Sequence, residues 1–280
     1  MYSNNCKITQ ITTVWNVEEW LEKTIQSFLS QTLQDSELIL VNDCSPDNSK
    51  DIIAKYTGNE RIRVFNNPYN LGAGASRQIG LSQAQGEFTM FVDGDDWLEA
   101  DCFEKMYETA IEGNADIVSC KVIHHDDYGL RHSLYKGRMM PMFGLYNFIN
   151  NKIIKSEIWD KVEYSPLRYM ENMNSLFRCL EFSKKTIEVD YHGYHYNRRL
   201  NSLLTSGKGL KTTVYEALSI LENLEYEALH LPFPSSRWKS YYNIRHLQML
   251  YGVIIKNKEI EQYKEEIEII KNYLWKHKAL

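Results

Sequence analysis

The chain has 280 residues, 43% of them hydrophobic, enough for one large domain or for a domain of about 200 residues with an appendage. Its net charge of -5, from 37 acidic against 32 basic side chains, excludes the broad basic face that nucleic-acid binding needs. Its five widely spaced cysteines contain no Cys-x-x-Cys, which argues against a disulfide framework or a zinc site and fits a reducing cytoplasm, while no leader-like segment and no apolar run of ~18 to 20 residues is present, so membrane contact is expected to be peripheral.

Residues Ile8 to Trp15, rich in Ile, Thr and Val, predict a first strand. Asn16 and Glu19 have capping-box spacing, and Trp20, Leu21, Ile25, Phe28 and Leu29 form the apolar stripe of a helix running to about Gln31. Glu37 to Asn42 predicts a second strand ending in the polar turn Asp43 to Ser49, where Asp47 or Ser49 can cap a short helix through Ile52, Ile53 and Tyr56. Arg61 to Phe65 predicts a third strand. Strands and helices alternating across short turns imply an α/β fold with a mostly parallel sheet covered on both faces.

The next segment, Asn66 to Gly80, contains Gly72-x-Gly74, but Arg77 occupies the third glycine position of a dinucleotide fingerprint and the first strand carries no glycine loop, so a Rossmann cofactor site is rejected. The glycines let a helix begin close to a ligand, with Arg77 one turn in, either to meet a phosphate or to pair with downstream acids. Phe88 to Val92 then reads as a buried strand that turns at once into Asp93-Gly94-Asp95-Asp96. Ligands of open α/β sheets bind at the carboxyl edge, and hard oxygen ligands there suit Mg²⁺ or Mn²⁺ bound to a phosphate-bearing ligand. The plain structural reading is an acidic turn in which Asp95 or Asp96 caps the next helix.

Taken in order, Thr13 to Glu18, Leu40 to Ser49, Asn70 to Gly72 with Ser76 to Gly80, and Phe91 to Asp96 resemble the family-two glycosyltransferases of GT-A fold over about the first 110 residues. The resemblance implies a GT-A domain over residues 1–206, with a nucleotide-sugar half at 1–112 and an acceptor half at 113–206. It implies that Thr13, Val14 and Trp15 border the nucleotide, with Thr13 and Trp15 replacing the usual proline and tyrosine. Asp43 stands where the family hydrogen-bonds uracil, which implies a UDP-linked donor, and Asn70 and Arg77 stand at positions lining the nucleotide. Asp93 and Asp95 match the metal and sugar-nucleotide Asp-x-Asp, with Asp95 the direct ligand of Mn²⁺ or Mg²⁺ and Asp96 supporting.

In such enzymes an acceptor hydroxyl attacks opposite the departing diphosphate with inversion, and a base must take its proton. The family's Glu-Asp pair is here Glu171-Asn172, and an amide cannot accept that proton. Glu171 as the base is therefore weighed against another carboxylate moving in and against slow or partner-dependent transfer. His195 is either a late metal ligand or a packed aromatic neighbour. Arg198, or Arg199 if the register slips, and Ser202 match a loop closing over the diphosphate.

Ala115 to His124 predicts a strand, Ile153 to Lys161 a short strand and helix, and residues 125–150 an insertion that shapes the acceptor site. From Thr213 the pattern is helical only, giving an all-helical extension over 207–280. Val214, Leu218, Leu221 and Leu224 make one stripe, Trp238 to Ile255 a second helix, and Ile260, Tyr263, Ile267, Ile270 and Leu274 a third seam. That seam either packs on the preceding helix, dimerises, or docks to a membrane-bound assembly.

The expected activity is transfer of a sugar from a nucleotide-sugar donor to a glycan or lipid-linked glycan of capsule, lipopolysaccharide or teichoic-acid type, in the cytoplasm, including the inner face of the cell membrane. Two alternatives differ from it. A nucleotidyltransferase would carry a glycine-rich basic loop after the first strand, which Thr12 to Glu18 lacks. A non-catalytic sugar-nucleotide-binding subunit is suggested by Asn172 alone.

Overall fold

Strand β1 (Ile8–Val14) is the centre from which the sheet grows, because its Ile and Val side chains are buried on both faces and neighbouring strands must cover it. The computed structural model describes residues 6–126, 129–131, 149–164, 171–198, 214, 218, 221 and 263–276. The chain divides into two compact units, residues 1–198 and 199–280.

In the first unit, β1 pairs in parallel with β2 (Ser36–Asn42) and β4 (Phe88–Phe91), and β2 with β3 (Ile62–Asn66). The crossovers are α1 (Glu18–Leu29), α2 (Ser49–Ala54) and α3 (Ala73–Gln83). Beyond β4 the sheet becomes mixed. Strand β8 (Lys152–Lys155) runs antiparallel to β4 and to β6 (Ile117–Asp126), β9 (Thr186–Arg198) runs parallel to β6, and the two-residue β5 (Trp97–Leu98) pairs antiparallel with β9. The short β7 (Gly129–Arg131) folds back on β6. Two reversals through β8 leave β6 and β9 pointing the same way as β4. The carboxyl ends of β1, β2, β3, β4, β6 and β9 therefore share one edge, and the polar turns collect there.

Helices cover both faces. On one, α4 (Cys102–Gly113) sets Phe103 edge-on to Phe28 of α1 at 6.4 Å and Tyr107 edge-on to Phe88 at 5.9 Å. On the other, α5 (Ser156–Trp159) sets Trp159 against Phe91 at 5.6 Å, and α3 lies so close to β1 that a Cβ on Gly80 would come 2.4 Å from Ile11 Cγ2. Side chains such as Leu21, Ile25, Leu38 and Leu40 are fully buried, each stabilising by about 1.5–3 kcal/mol relative to exposure. Helix α6 (Glu171–Phe182) precedes β9.

The start of α1 differs from the capping-box expectation. The N-cap residue is Val17, and Asn16 adopts a left-handed φ of 53° that lets its N–H donate to Ser45 Oγ at 2.8 Å. The cap comes from across the edge instead: the Glu18 N–H donates to Asp47 Oδ2 at 2.8 Å, and the Glu18 carboxylate accepts the Asn48 N–H at 2.7 Å. Asp47 Oδ1 also takes the Ser49 N–H at 3.1 Å, so one carboxylate serves the first turns of α1 and α2.

In the second unit, α7 (Lys264–Lys276) buries Ile270 and Leu274 and half-buries Tyr263 and Ile267, the seam the spacing predicts. Ile260, Leu224 and the segment Trp238 to Ile255 lie outside the described residues. Among the described residues, no helix is long and apolar enough to cross a membrane.

Candidate active site

The acidic turn after β4 is built against helix α1. The Thr24 hydroxyl donates to the Asp96 carbonyl at 2.7 Å, with the Gly94 carbonyl 3.0 Å away. Gly94 is required by space: a Cβ there would lie 2.9 Å from Val17 Cγ2 and 3.1 Å from the Thr13 carbonyl oxygen. The turn thus lies flat on the end of β1 and presents three carboxylates. One oxygen each from Asp93, Asp95 and Asp96 can be chosen so that all lie within 4.8 Å of one another.

The three acids sit in unlike surroundings. Asp96 is fully buried, its Oδ2 accepting from the Tyr194 hydroxyl and its Oδ1 from the Asn197 N–H at 2.8 Å. Burial first, then the charges of Asp95 and Asp93, hold its carboxyl well above the usual carboxylate range. Asp93 Oδ1 accepts from Arg77 Nη2 at 2.7 Å, and that guanidinium is itself buried. Of the two openings left to Arg77 by the sequence, it takes the pairing with the acids. Asp95, like Asp93, is half-buried.

Hard oxygen donors at this spacing, with a carboxyl buried among like charges, fit a divalent ion such as Mg²⁺ or Mn²⁺. His195 does not join them. It pairs across β5 and β9 with Trp97, stacks on that ring at 5.1 Å, and has both ring nitrogens engaged, Nε2 with Glu99 Oε1 at 2.8 Å and Nδ1 with His125 Nε2 at 2.8 Å. Of the two roles open to His195, the structure shows the packed arrangement. Burial, the largest influence, lowers its pKa, with Glu99 acting in opposition.

The carboxyl ends of β1 to β3 form the neighbouring part of the edge. Asp43, buried, is an organiser of the loop beyond β3: Oδ1 accepts from Asn67 Nδ2 and the Leu71 N–H, both at 2.8 Å, and Oδ2 from the Gly72 N–H at 2.9 Å. Gly72, at φ 88°, is the N-cap of α3, so Asp43 sets where the Arg77 helix begins. Thr13 is half-buried and Val14 buried, while Trp15 and Asn70 are exposed beside Tyr69 and Leu71.

At α6, Asn172 Oδ1 accepts from Arg77 Nη1 at 2.9 Å and from the Tyr164 hydroxyl. Tyr164 was missed by sequence reasoning, since nothing local marks a tyrosine whose partners are a helix ahead and a strand behind. The side chains of Glu171 and Arg198 and all of Arg199 and Ser202 lie outside the described residues.

The family profile described as Glycosyl transferase family 2 matches residues 9–173. The cholesterol galactosyltransferase of Borreliella burgdorferi is 41% identical over 227 residues, which cover 71% of this chain and 62% of that protein. The chain spans about a third of the length of two other relatives it matches. Among solved structures, S. aureus TarS residues 1–349 in complex with UDP-GlcNAc superposes with a TM-score of 0.63 at 17% identity, covering 89% of this chain and 81% of that one. The mannosyltransferase PcManGT of Pyrobaculum calidifontis, in complex with GDP-Man and Mn²⁺, gives 0.62 at 10% identity, covering 96% and 86%. The profile takes in more than half of the chain and the solved structures share its fold, so this chain belongs to glycosyl transferase family 2.

Proposed function

We propose that the protein is a metal-dependent, inverting glycosyltransferase that moves a sugar from a UDP-linked donor to a hydroxyl of a surface glycan, either free or lipid-linked. The observation that carries this reading is the buried carboxyl of Asp96 beside Asp93 and Asp95 at the sheet's carboxyl edge. Three carboxyl groups whose oxygens can converge within 4.8 Å offer hard ligands to a cation, and a cation there favours a diphosphate. PcManGT, whose structure holds Mn²⁺, and TarS, whose structure holds UDP-GlcNAc, support the same division of labour by analogy of fold.

In this reading Asp95 and Asp93 hold Mn²⁺ or Mg²⁺, with Asp96 behind them. Thr13, Val14, Trp15 and Asn70 border the nucleotide, and Asp43 meets the uracil. Arg198 and Ser202 close over the diphosphate. When bound, the cation would neutralise the charge that grows on the leaving diphosphate. The acceptor oxygen bonds to the anomeric carbon as the bond to the diphosphate breaks, and Glu171 takes the hydroxyl proton. Residues 1–206 form the transferase domain, divided at 112, and 207–280 an extension that contacts a second copy or a membrane-bound assembly.

The test is calorimetry with UDP, UDP-sugars and GDP-sugars, each with and without Mn²⁺, followed by product analysis with the donor that binds. Manganese-dependent binding of a UDP-sugar and an inverted product are expected. Binding unaffected by Mn²⁺ and by the Asp95→Asn change would remove the reading.

A further inference from the structure

Helix α6 brings an amide to the place where the family carries a carboxylate, and the amide is engaged. Arginine has no acceptor atom, so the group that faces Arg77 across 2.9 Å must be the oxygen of Asn172. The same oxygen receives the Tyr164 hydroxyl, and the Tyr164 N–H in turn donates to Gln78 of α3 at 2.7 Å. The other arm of the Arg77 fork ends on Asp93 Oδ1 at 2.7 Å. Arg77 is 3% exposed, and its guanidinium carbon lies 5.5 Å from the centre of the Tyr164 ring and 6.0 Å from that of Phe91. A planar fork bonded at both arms and packed against two rings that themselves meet edge-on at 5.1 Å is held in one orientation.

We propose that Asn172 is a positioning residue that ties the start of α6 to the acidic turn through Arg77, and that its neutrality is what keeps Arg77 on Asp93. A second carboxylate at position 172 would divide one positive charge between two anions. An amide accepts the hydrogen bond and leaves the ion pair with Asp93 intact. The adjoining residue on α6 is Glu171, so the tie fixes the backbone that carries the proposed base relative to the proposed metal ligands. The inference rests on the transferase reading for its catalytic consequence and on geometry alone for the tie itself.

Two measurements keep these apart. The first needs no ligand: hydrogen exchange of the α6 amides from Ser175 to Arg178 in wild type, Asn172→Ala, Arg77→Lys and the double variant. Lysine keeps the charge and loses the fork, so both single variants are expected to speed exchange in α6, with no further increase in the double variant. Wild-type exchange of α6 in Arg77→Lys, or increments that multiply, would overturn the tie. The second is transfer with the donor found by calorimetry. Asn172→Ala and Arg77→Lys should each lower kcat by about 10- to 100-fold, as a displaced catalytic helix does, with no added loss when combined. Asn172→Ala should leave the donor KM near wild type. Asn172→Asp should lower kcat too; turnover above wild type would instead make position 172 a vacated base site and end the proposal. If exchange behaves as expected and no donor is turned over, the tie stands and the transferase reading falls.

Discussion

Tyr194 of β9 and Asp96 of the acidic turn form a buried pair in which the phenol donates to a carboxyl oxygen, and both groups are displaced from their ordinary pKa by burial first and by neighbouring charge second. The pair joins the second half of the sheet to the turn after β4, 98 residues apart in sequence. Tyr194→Phe removes one donor from Asp96 and leaves the ring in place. A loss of about 1–3 kcal/mol in stability is expected, together with a weakening of Mn²⁺ binding by about tenfold, read by denaturant unfolding and by calorimetry. Unchanged Mn²⁺ affinity would mean that Asp96 has no part in holding the cation.

Asp95 is half-buried, unlike the fully buried Asp96, so replacing its carboxylate by an isosteric amide is expected to leave the fold in place. Asp95→Asn should keep the far-ultraviolet circular dichroism of the wild type and lower transfer by about 100-fold or more, as loss of charge stabilisation on a leaving group does. The assay is initial rate against Mn²⁺ concentration. Saturating metal should not restore it.

Asp43 organises the loop beyond β3 and is proposed to meet the uracil, and a pair of substitutions can divide the two. Asp43→Ala orphans Asn67 Nδ2 and the N–H groups of Leu71 and Gly72, with an expected cost of about 2–5 kcal/mol by thermal or denaturant unfolding. Asp43→Asn retains one acceptor oxygen, so it should destabilise less while raising the donor KM. Equal stability of all three proteins would contradict the loop-organising role.

Lys152 on β8 is buried, donates to Asn151 Oδ1 at 2.8 Å, and has its pKa lowered by burial from 10.5 to about 7, against the opposing pull of Cys120 and Glu188. Between pH 7 and 10.5 the unfolded chain holds a proton here that the folded chain has released. This group therefore makes stability rise with pH across that window, by at most about 1.4 kcal/mol per unit. Urea unfolding at pH 7 and pH 9 should show the rise in the wild type relative to Lys152→Met, which lacks the titrating group.

The parallel half of the fold could be read from the residues because its signals are local: short apolar runs, a helical stripe through Leu21, Ile25 and Phe28, and polar turns at each strand's end. The acidic turn and the start of a helix at the glycines follow from the same short-range spacing, which left Arg77 open between a phosphate and the acids. Contacts set by topology did not show. The α1 cap comes from Asp47 on another loop, so the plausible Asn16 and Glu19 box was the wrong partner. His195 was drawn toward the metal by its residue type, whereas the two-residue β5 brings Glu99 within reach of one ring nitrogen and β6 brings His125 to the other. Tyr164 and Asn172 meet Arg77 only once α3, α5 and α6 have packed.

The exchange between Glu18 and the Asp47 to Asn48 turn locks two loops into one body before any donor arrives. The ordering of both is completed during folding, so little conformational freedom is left to lose on docking. For the donor proposed to dock at this edge, such preorganisation favours affinity, and cutting that exchange is expected to raise its dissociation rate.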